Sequence, residues 1–428
     1  MRTTIMGAAM AALLAGPAVA DLVIPDLSYR TGPFAAGGVP VSDGFQDYFR
    51  MLNARDGGIG GEEIRILECE TAYNTEKGVE CYENTKSEGA LVYNPLSTGI
   101  TYQLIPKATA DGIPILTLGY GRTSAANGAV FRNVFNFPAN YWDAASIAVN
   151  YLLDENGGDL SGKSIALVYH NSAYGKEPIR TLEELSAKHG FELVTIPVDS
   201  PGQEQKSQWL QIRRDKPDYV LMWGWGVMNQ VAVQEAANIR FPMENFIGNW
   251  WAGSEQDVTP AGASADGYKA LALTNIDPQR PVYDDIRQYV HDAGNAAGDG
   301  SHLGTVSYDR GMYQAMLVAE SIRKAQELAG ISDITPAQMR DGMEALEITN
   351  AKMEELGMPN IGPEFAVSCE DHGGSGKGLV QQWDADSGTW TTLTDYIESD
   401  ASVIDPLVEE DSAAFAAENS ITPACAEN

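Results

Sequence analysis

Short apolar runs alternate with longer stretches of helical periodicity along the first part of the chain. The apolar runs have the length of buried strands, and they cover Leu22–Leu27, Ile64–Glu68, Leu91–Tyr93 and Ile113–Leu118. The segments between them predict helices that run from Ser42 to Gly57, from Asn74 or Thr75 to about Ser87, and over Thr98–Asp111. Strands that alternate with helices of this length predict a parallel α/β sheet.

The same pattern restarts near residue 143. A helix is expected over Asp143–Asn156, and the following helices are expected over Glu177–His189 and Gln203–Asp215. The strands of this second unit are predicted at Ile165–Tyr169, Glu192–Val198, Tyr219–Met222 and Phe246–Ile247. Two successive α/β units of about 120 residues indicate two lobes.

The pattern changes beyond Asn275. A long helix is predicted from Tyr308 to Leu328, and Thr335 opens another helix as a capping box with Gln338. Two short apolar runs, 380–383 and 390–393, indicate a hairpin. The last thirty residues are helical in composition but lack a strong apolar face.

Four tryptophans stand where predicted strands end. Trp223 and Trp225 follow one apolar run, and Trp250 and Trp251 follow the next. Ligands of open parallel sheets bind beyond the carboxyl ends of the strands, so these indoles are candidates for a binding site. The alternative is that they pack between helix and sheet.

The first twenty residues differ from the rest of the chain. Arg2 is followed by an apolar core, Ile5–Leu14, and by the small residues Ala18-Val19-Ala20 before Asp21. This order predicts a secretory signal peptide. No later apolar run reaches the roughly 18 residues of a membrane span, so we expect an exported, periplasmic protein.

Charge and cysteine content narrow the class of protein further. The net charge of −31 argues against nucleic acids and anionic membranes as partners. Four cysteines in an exported chain suggest two disulfides. Cys69 and Cys81 are candidates for one pair, and Cys369 and Cys425 would tie the tail to the body, although three pairings remain open.

Sequence signatures of catalysis are missing. The chain has no G-x-S-x-G, P-loop or HExxH motif, and the glycine-rich run Gly373–Gly378 lacks the Walker spacing. The five histidines are dispersed, and we interpret them as surface or loop residues. We therefore expect a protein that is not an enzyme and that uses neither a cofactor nor a metal.

Four short motifs carry a resemblance to a known family. They are Thr31-Gly32-Pro33, Asn53–Ile59, Asp111–Pro114 and Ala173–Gly175. In this order the chain resembles the type I periplasmic solute-binding proteins of ABC importers, in the branched-chain amino acid (leucine/isoleucine/valine) group. The resemblance covers about residues 22–393. It implies an α/β fold of two lobes with parallel sheets flanked by helices and a hinge of three crossovers.

The domain bounds expected from the sequence are residues 21–142 plus 275–360 for lobe 1 and 143–274 plus 361–398 for lobe 2. Residues 399–428 then form a C-terminal tail. The resemblance also implies an ABC permease in the inner membrane as partner and a monomeric state.

The resemblance implies a set of ligand-binding residues as well. Leu96, Ser97 and Thr98 match the loop that holds a ligand carboxylate, and the helix start there favours an anion. Gly119, Tyr120 and Gly121 match a second binding turn, and Tyr174 and Trp225 match aromatic side chains that cover the ligand from the other lobe. The strand-end tryptophans Trp223 and Trp250 complete the candidates. The alternatives are that the Ser-Thr turn only caps a helix and that Tyr174 only packs beside the hinge.

Two positions depart from the family pattern. Trp250 stands where amino-acid binders place a glutamate for the ligand ammonium, and Gly121 stands where a threonine is expected. A buried ammonium without a carboxylate partner is costly. The departures therefore favour a small carboxylate with an apolar or aromatic body.

Other ligands and roles stay open at this stage. Clustered indoles also suit a quaternary ammonium compound, and a hydrophobic amino acid would need a carboxylate such as Asp309 to pair with its ammonium. The predicted function is the extracytoplasmic substrate-binding component of an ABC importer, which captures its solute by hinge closure. The alternatives are a ligand-sensing subunit for a regulator or sensor kinase, and an extracytoplasmic enzyme.

Overall fold

The computed structural model describes residues 21–425, so the predicted signal peptide lies outside the described residues. The strands of the described part are β1 Leu22–Asp26, β2 Ile64–Glu68, β3 Ile115–Leu116, β4 Val134–Phe135, β5 Ser164–His170, β6 Glu192–Val198, β7 Tyr219–Trp223, β8 Phe246–Gly248, β9 Lys269–Ala272, β10 Glu347–Ile348, β11 Phe365–Ala366, β12 Lys377–Asp384, β13 Thr389–Thr392 and β14 Ile397–Glu398. Most of the strands predicted from the apolar runs are therefore present within a residue or two of their expected bounds.

Helices fill most of the segments between these strands. They are α1 Ala35–Asp56, α2 Thr75–Thr85, α3 Thr98–Asp111, α4 Tyr141–Glu155, α5 Ala173–Lys176, α6 Ile179–His189, α7 Lys206–Asp215, α8 Val227–Asn238, α9 Glu255–Val258, α10 Pro281–Ile286, α11 Val306–Ala329, α12 Pro336–Glu344, α13 Asn350–Glu355 and α14 Ala401–Asn419. The bounds of α3 agree with the sequence prediction, and the capping box of Thr335 and Gln338 that opens α12 is confirmed.

The first α/β unit is built on short parallel pairings. β1 pairs with β2, and β3 pairs with β4. Residues 90–94 lie between these pairs and make single bridges to β1 and to Ile115 of β3. The prediction of a regular strand at Leu91–Tyr93 is therefore wrong, because β3 has only two residues and offers no longer ladder.

The second unit has a larger sheet. Its strand order is β13-β12-β9-β8-β7-β5-β6, and β14 also pairs with β12. β5 to β9 are parallel, while β12 runs antiparallel to β9 and β13. Trp383 lies opposite Trp390 in the β12–β13 pair, which confirms the predicted hairpin.

The start of α1 differs from the prediction. Ser42 does not cap this helix but lies buried inside it, because α1 already begins at Ala35. Gly37, Gly38 and Pro40, which normally interrupt helices, belong to its first turns. A Cβ at Gly38 would lie 2.2 Å from the Tyr29 ring, so this close packing requires a glycine. The predicted end is correct, since Gly57 closes the helix with a φ of +73°.

Three connections join the two units. α1 packs on α11, whereas α4 packs on α6 and β12. The chain therefore passes from one unit to the other between β4 and α4, between β9 and α10, and between β11 and β12. This is the two-lobe fold that the sequence predicts, while the exact lobe bounds stay a prediction.

Both disulfides are formed as the sequence suggested. Cys69 pairs with Cys81 and joins the segment after β2 to α2. Cys369 pairs with Cys425 and ties the end of the chain to the segment before β12. The interpretation of all histidines as surface or loop residues is wrong for His170, which is the buried last residue of β5. His372 lies in the loop before β12 but is buried, with its ring stacked on Phe135 at 3.8 Å.

Candidate functional site

A small cavity lies where the carboxyl ends of the strands of both units meet. Five tyrosines and two tryptophans dominate its lining, which consists of Tyr29, Tyr73, Leu96, Ser97, Thr98, Tyr120, Tyr141, Tyr174, Trp225 and Trp251. Most of these residues follow directly after a strand or a strand-like segment, and Tyr141 is the first residue of α4. This is the edge at which open parallel sheets bind ligands.

One side of the cavity, which we call the polar wall, consists of Leu96, Ser97, Thr98 and Tyr120. The Ser97 side chain caps α3 by accepting a hydrogen bond from the amide of Ile100. The Leu96 amide donates to the Tyr120 hydroxyl at 2.8 Å. The first amides of α3 have no partner inside the helix, and the positive end of its dipole faces this wall. The polar wall therefore suits an anionic group.

The opposite side, which we call the indole wall, consists of Tyr174, Trp225 and Trp251. The Trp225 and Trp251 rings meet edge to face with centroids 5.4 Å apart. The Tyr174 hydroxyl donates to the Gly224 carbonyl at 2.8 Å, which fixes the phenol ring. Buried aromatic rings held in this way offer a large apolar contact surface.

Beside the two walls, the two units contact each other through a shared acceptor, the Gly119 carbonyl. The indole Nε1 of Trp251 donates to the Gly119 carbonyl at 3.2 Å, and that of Trp250 donates to the same oxygen at 2.7 Å. Gly119 has a φ of +65°, and a Cβ there would lie 2.5 Å from Leu273. A glycine is therefore required at the point where the two units touch.

A second contact between the units lies close to the polar wall. Tyr102 of α3 donates its hydroxyl hydrogen to Glu177, which follows α5. The Glu177 carboxylate also accepts from the Thr123 amide at 3.4 Å. Burial raises the pKa of Glu177 to about 7, despite the opposing effect of the Tyr102 hydrogen bond. The contact between the units thus contains a group that titrates near neutral pH.

The tyrosine phenols are the only titratable side chains among the ten lining residues. Burial raises the pKa of Tyr73 to about 12, and it raises those of Tyr141 and Tyr174 well above the ordinary value. These phenols therefore stay neutral at physiological pH. Asp309 lies outside the lining, where it is buried and accepts hydrogen bonds from Arg280 at 2.8 Å and from Tyr283.

The structure brings six of the predicted binding residues to the cavity, namely Leu96, Ser97, Thr98, Tyr120, Tyr174 and Trp225. Gly121 lies behind the polar wall, where its amide donates to the Thr98 hydroxyl at 3.2 Å. Trp223 and Trp250 are buried in the core and do not line the cavity, and Gly119 supports Trp250 and Trp251.

Four lining residues were not among the predicted binding residues. Trp251 was recognised only as a strand-end tryptophan, and Tyr29, Tyr73 and Tyr141 were not singled out. A usable signal existed for Tyr29 and Tyr73, because each stands in the loop that follows a predicted strand. Tyr141 enters from the first turn of a helix, and no local pattern marks it.

Comparison with known proteins establishes the family. The family model described as "Periplasmic binding protein" matches residues 22–389, so the chain belongs to the periplasmic binding proteins. In the described residues, no helix has the length and apolar character needed to cross a membrane.

Individual relatives agree with this assignment. A crystal structure from the Pseudomonas fluorescens group, described as an ABC transporter permease, is 40% identical with a TM-score of 0.88, and the match covers 95% of this chain and 100% of that one. Leu/Ile/Val-binding protein homolog 3 from Brucella melitensis is 25% identical over 45% of this chain, and the chain spans only 51% of that relative.

A more distant structure has the same fold. The solute-binding protein of an ABC transporter from R. palustris, solved in complex with benzoate, is 18% identical with a TM-score of 0.68. That match covers 89% of this chain and 98% of the other.

Proposed function

We propose that this chain is the extracytoplasmic substrate-binding component of an ABC importer and works in the periplasm without catalysing a reaction. The observation that carries this proposal is an aromatic cavity placed between two α/β units that three connections join. A ligand that touches both walls stabilises the closed arrangement over the open one, and a membrane permease can then recognise the closed form. Membership of the periplasmic binding proteins supports the same role.

The ligand that fits best is a small carboxylate with an apolar or aromatic body. Its carboxylate would lie against the start of α3, where free amides and the helix dipole favour an anion. Its body would lie against Trp225, Trp251 and the tyrosines. The benzoate bound by the R. palustris relative is a ligand of this chemical class.

A hydrophobic amino acid is the second candidate, because a curated relative is named a Leu/Ile/Val-binding protein. Its ammonium group would need a carboxylate or several carbonyl oxygens within the cavity. None of the ten lining residues supplies a carboxylate. We therefore place amino acids behind simple carboxylates.

Isothermal titration calorimetry on the purified mature protein ranks these ligands. Benzoate, leucine and glycine betaine represent the carboxylate, the amino acid and the quaternary ammonium compound. We expect benzoate to bind most tightly, with a negative heat-capacity change from the burial of apolar surface. Tight binding of leucine, with no heat from benzoate, would overturn the proposed ligand class and leave the transport role in place.

A further inference from the structure

A buried arginine lies directly behind the indole wall. Arg310 belongs to α11 and is 0% exposed. Its Nε, Nη1 and Nη2 atoms have no hydrogen-bond partner among the described residues. The guanidinium carbon lies 5.2 Å from the ring centroid of Trp251, which lines the cavity. Arg310 thus combines an unpaired buried cation with contact to the cavity wall.

The charge of Arg310 persists at neutral pH. Burial lowers the pKa of this guanidinium to about 10, while the carboxylates of Asp257 and Glu255 and, more weakly, Asp309 oppose that shift. Arg310 therefore remains a cation, at a depth where charge interactions are weakly screened.

The three acidic neighbours are each held by other groups. Asp257 accepts from Ser254 at 2.7 Å and from Asn229 at 3.0 Å. Asp309 is held by Arg280 and Tyr283. The Glu255 carboxylate accepts from the amide of Val306 at 3.2 Å. No described carboxylate forms an ion pair with Arg310, which leaves its charge to act on the surroundings.

We propose that Arg310 sets the charge selectivity of the cavity and makes it favour an anionic ligand over neutral and cationic ligands of the same shape. This inference rests on the proposed function and deepens it. The Arg310 cation attracts an anion across the thin indole layer. It also repels a ligand cation at the Trp251 ring, where the π electrons already face one cation. This repulsion disfavours a quaternary ammonium group, which an aromatic cavity would otherwise bind well.

The test compares three probes of similar shape, which are benzoate, benzamide and phenyltrimethylammonium. Their dissociation constants are measured by calorimetry at pH 8 for the wild-type protein, Arg310→Met and Arg310→Lys. We expect the wild type to bind benzoate roughly ten-fold more tightly than benzamide. Arg310→Met should lose most of this ratio and keep its affinity for benzamide, whereas Arg310→Lys should retain the preference.

A further variant covers the case in which Arg310→Met does not fold. Glu255→Gln keeps an acceptor for the Val306 amide but removes one negative charge that acts on Arg310. Burial raises the pKa of Glu255 to about 7, so this residue is mostly ionised at pH 8. We expect Glu255→Gln to bind benzoate several-fold more tightly relative to benzamide than the wild type does.

The outcomes separate the two proposals. An unchanged benzoate-to-benzamide ratio in Arg310→Met, or in Glu255→Gln if the first variant does not fold, overturns the role of Arg310 and leaves the proposed ligand class standing. A wild-type protein that prefers phenyltrimethylammonium, or binds none of the probes, overturns both proposals.

Discussion

The two walls of the cavity are built from different kinds of contact. The polar wall is made from a loop and a helix start, and backbone amides and hydroxyl groups supply its chemistry. The indole wall is made from rings that follow three strands of the large sheet, and hydrogen bonds fix the positions of Tyr174 and Trp251. We expect the two walls to have different roles: the polar wall orients the charged end of a ligand, and the indole wall supplies most of the contact area.

The largest expected effects concern the two disulfides, and one of these lies beside the polar wall. The bond between Cys69 and Cys81 fixes the chain just before Tyr73, a lining residue. Replacing both cysteines with serine should lower the free energy of unfolding by about 3 kcal/mol, because the unfolded chain gains conformational entropy when the cross-link is absent. It should also weaken ligand binding. Urea denaturation measures the loss of stability, and calorimetry measures the loss of affinity.

The other disulfide is the matched control. Cys369 and Cys425 close a longer segment, with a sequence separation of 56, and neither lines the cavity. Their replacement with serine should cost about 4 kcal/mol of stability by the same argument, and ligand affinity should stay unchanged. Equal losses of affinity in both double variants would contradict the local role of the Cys69–Cys81 bond.

The next effect concerns the contact between Tyr102 and Glu177. The pKa of Glu177 is about 7 in the folded protein and has a reference value of 4.5. The folded state therefore binds more protons than the unfolded state between these values, and stability falls as pH rises through this window. Glu177→Gln should abolish this contribution, which amounts to about 2–3 kcal/mol between pH 5 and pH 8.

Urea denaturation of the wild type and of Glu177→Gln at pH 5 and pH 8 measures how much Glu177 contributes to the pH dependence of the free energy of unfolding. Glu183→Gln on the exposed side of α6 is the control and should leave the pH dependence as in the wild type. A parallel pH dependence in the wild type and Glu177→Gln would show that Glu177 is not the titrating group.

For the indole wall, Trp225→Ala should weaken ligand binding by about 2 kcal/mol, because a buried aromatic anchor is lost. Gly37→Ala should weaken binding as well, since a Cβ at Gly37 would lie 2.5 Å from the Trp225 ring. Trp209→Phe, in the core of the large sheet, should lower stability alone. If Trp225→Ala lowers stability but leaves affinity unchanged, the indole wall is only a part of the core.

The smallest effect is expected at the polar wall. Thr98→Val removes the hydroxyl that accepts from the Gly121 amide and keeps the shape of the side chain. Affinity for benzoate should fall by about 1 kcal/mol, because the loop expected to hold the ligand carboxylate loses one hydrogen bond that positions it. Thr109→Val, exposed in the last turn of α3, is the control. A larger loss of affinity in Thr98→Val than in Trp225→Ala would contradict the expected roles of the two walls.

Sequence periodicity was sufficient for most of the fold. Apolar runs located β5 to β8 and the β12–β13 hairpin of the large sheet but missed β9 and β14. The bounds of α3 followed from a serine before it and a glycine after it. It failed at the start of α1, where contacts with Tyr29 and Trp225 overcome the poor helical propensity of Gly37 and Gly38. Such distant packing leaves no local signal.

The site was predictable only in part for a similar reason. Residues at predicted strand ends or in family motifs, such as Thr98 and Trp225, could be found from the sequence. Tyr141 enters the cavity from a helix, and Arg310 lies near the start of α11, where every residue is buried. Their roles depend on how the two units pack, which no single segment of the sequence encodes.

Native mass spectrometry of the protein purified from the periplasm, without refolding, tests the central claim most directly. A bound solute is released by denaturation and identified by its mass and fragmentation. We expect a small carboxylate with an apolar or aromatic body at one molecule per chain, and much lower occupancy in Trp225→Ala. A quaternary ammonium compound bound at that stoichiometry, or equal occupancy in Trp225→Ala, would contradict the account.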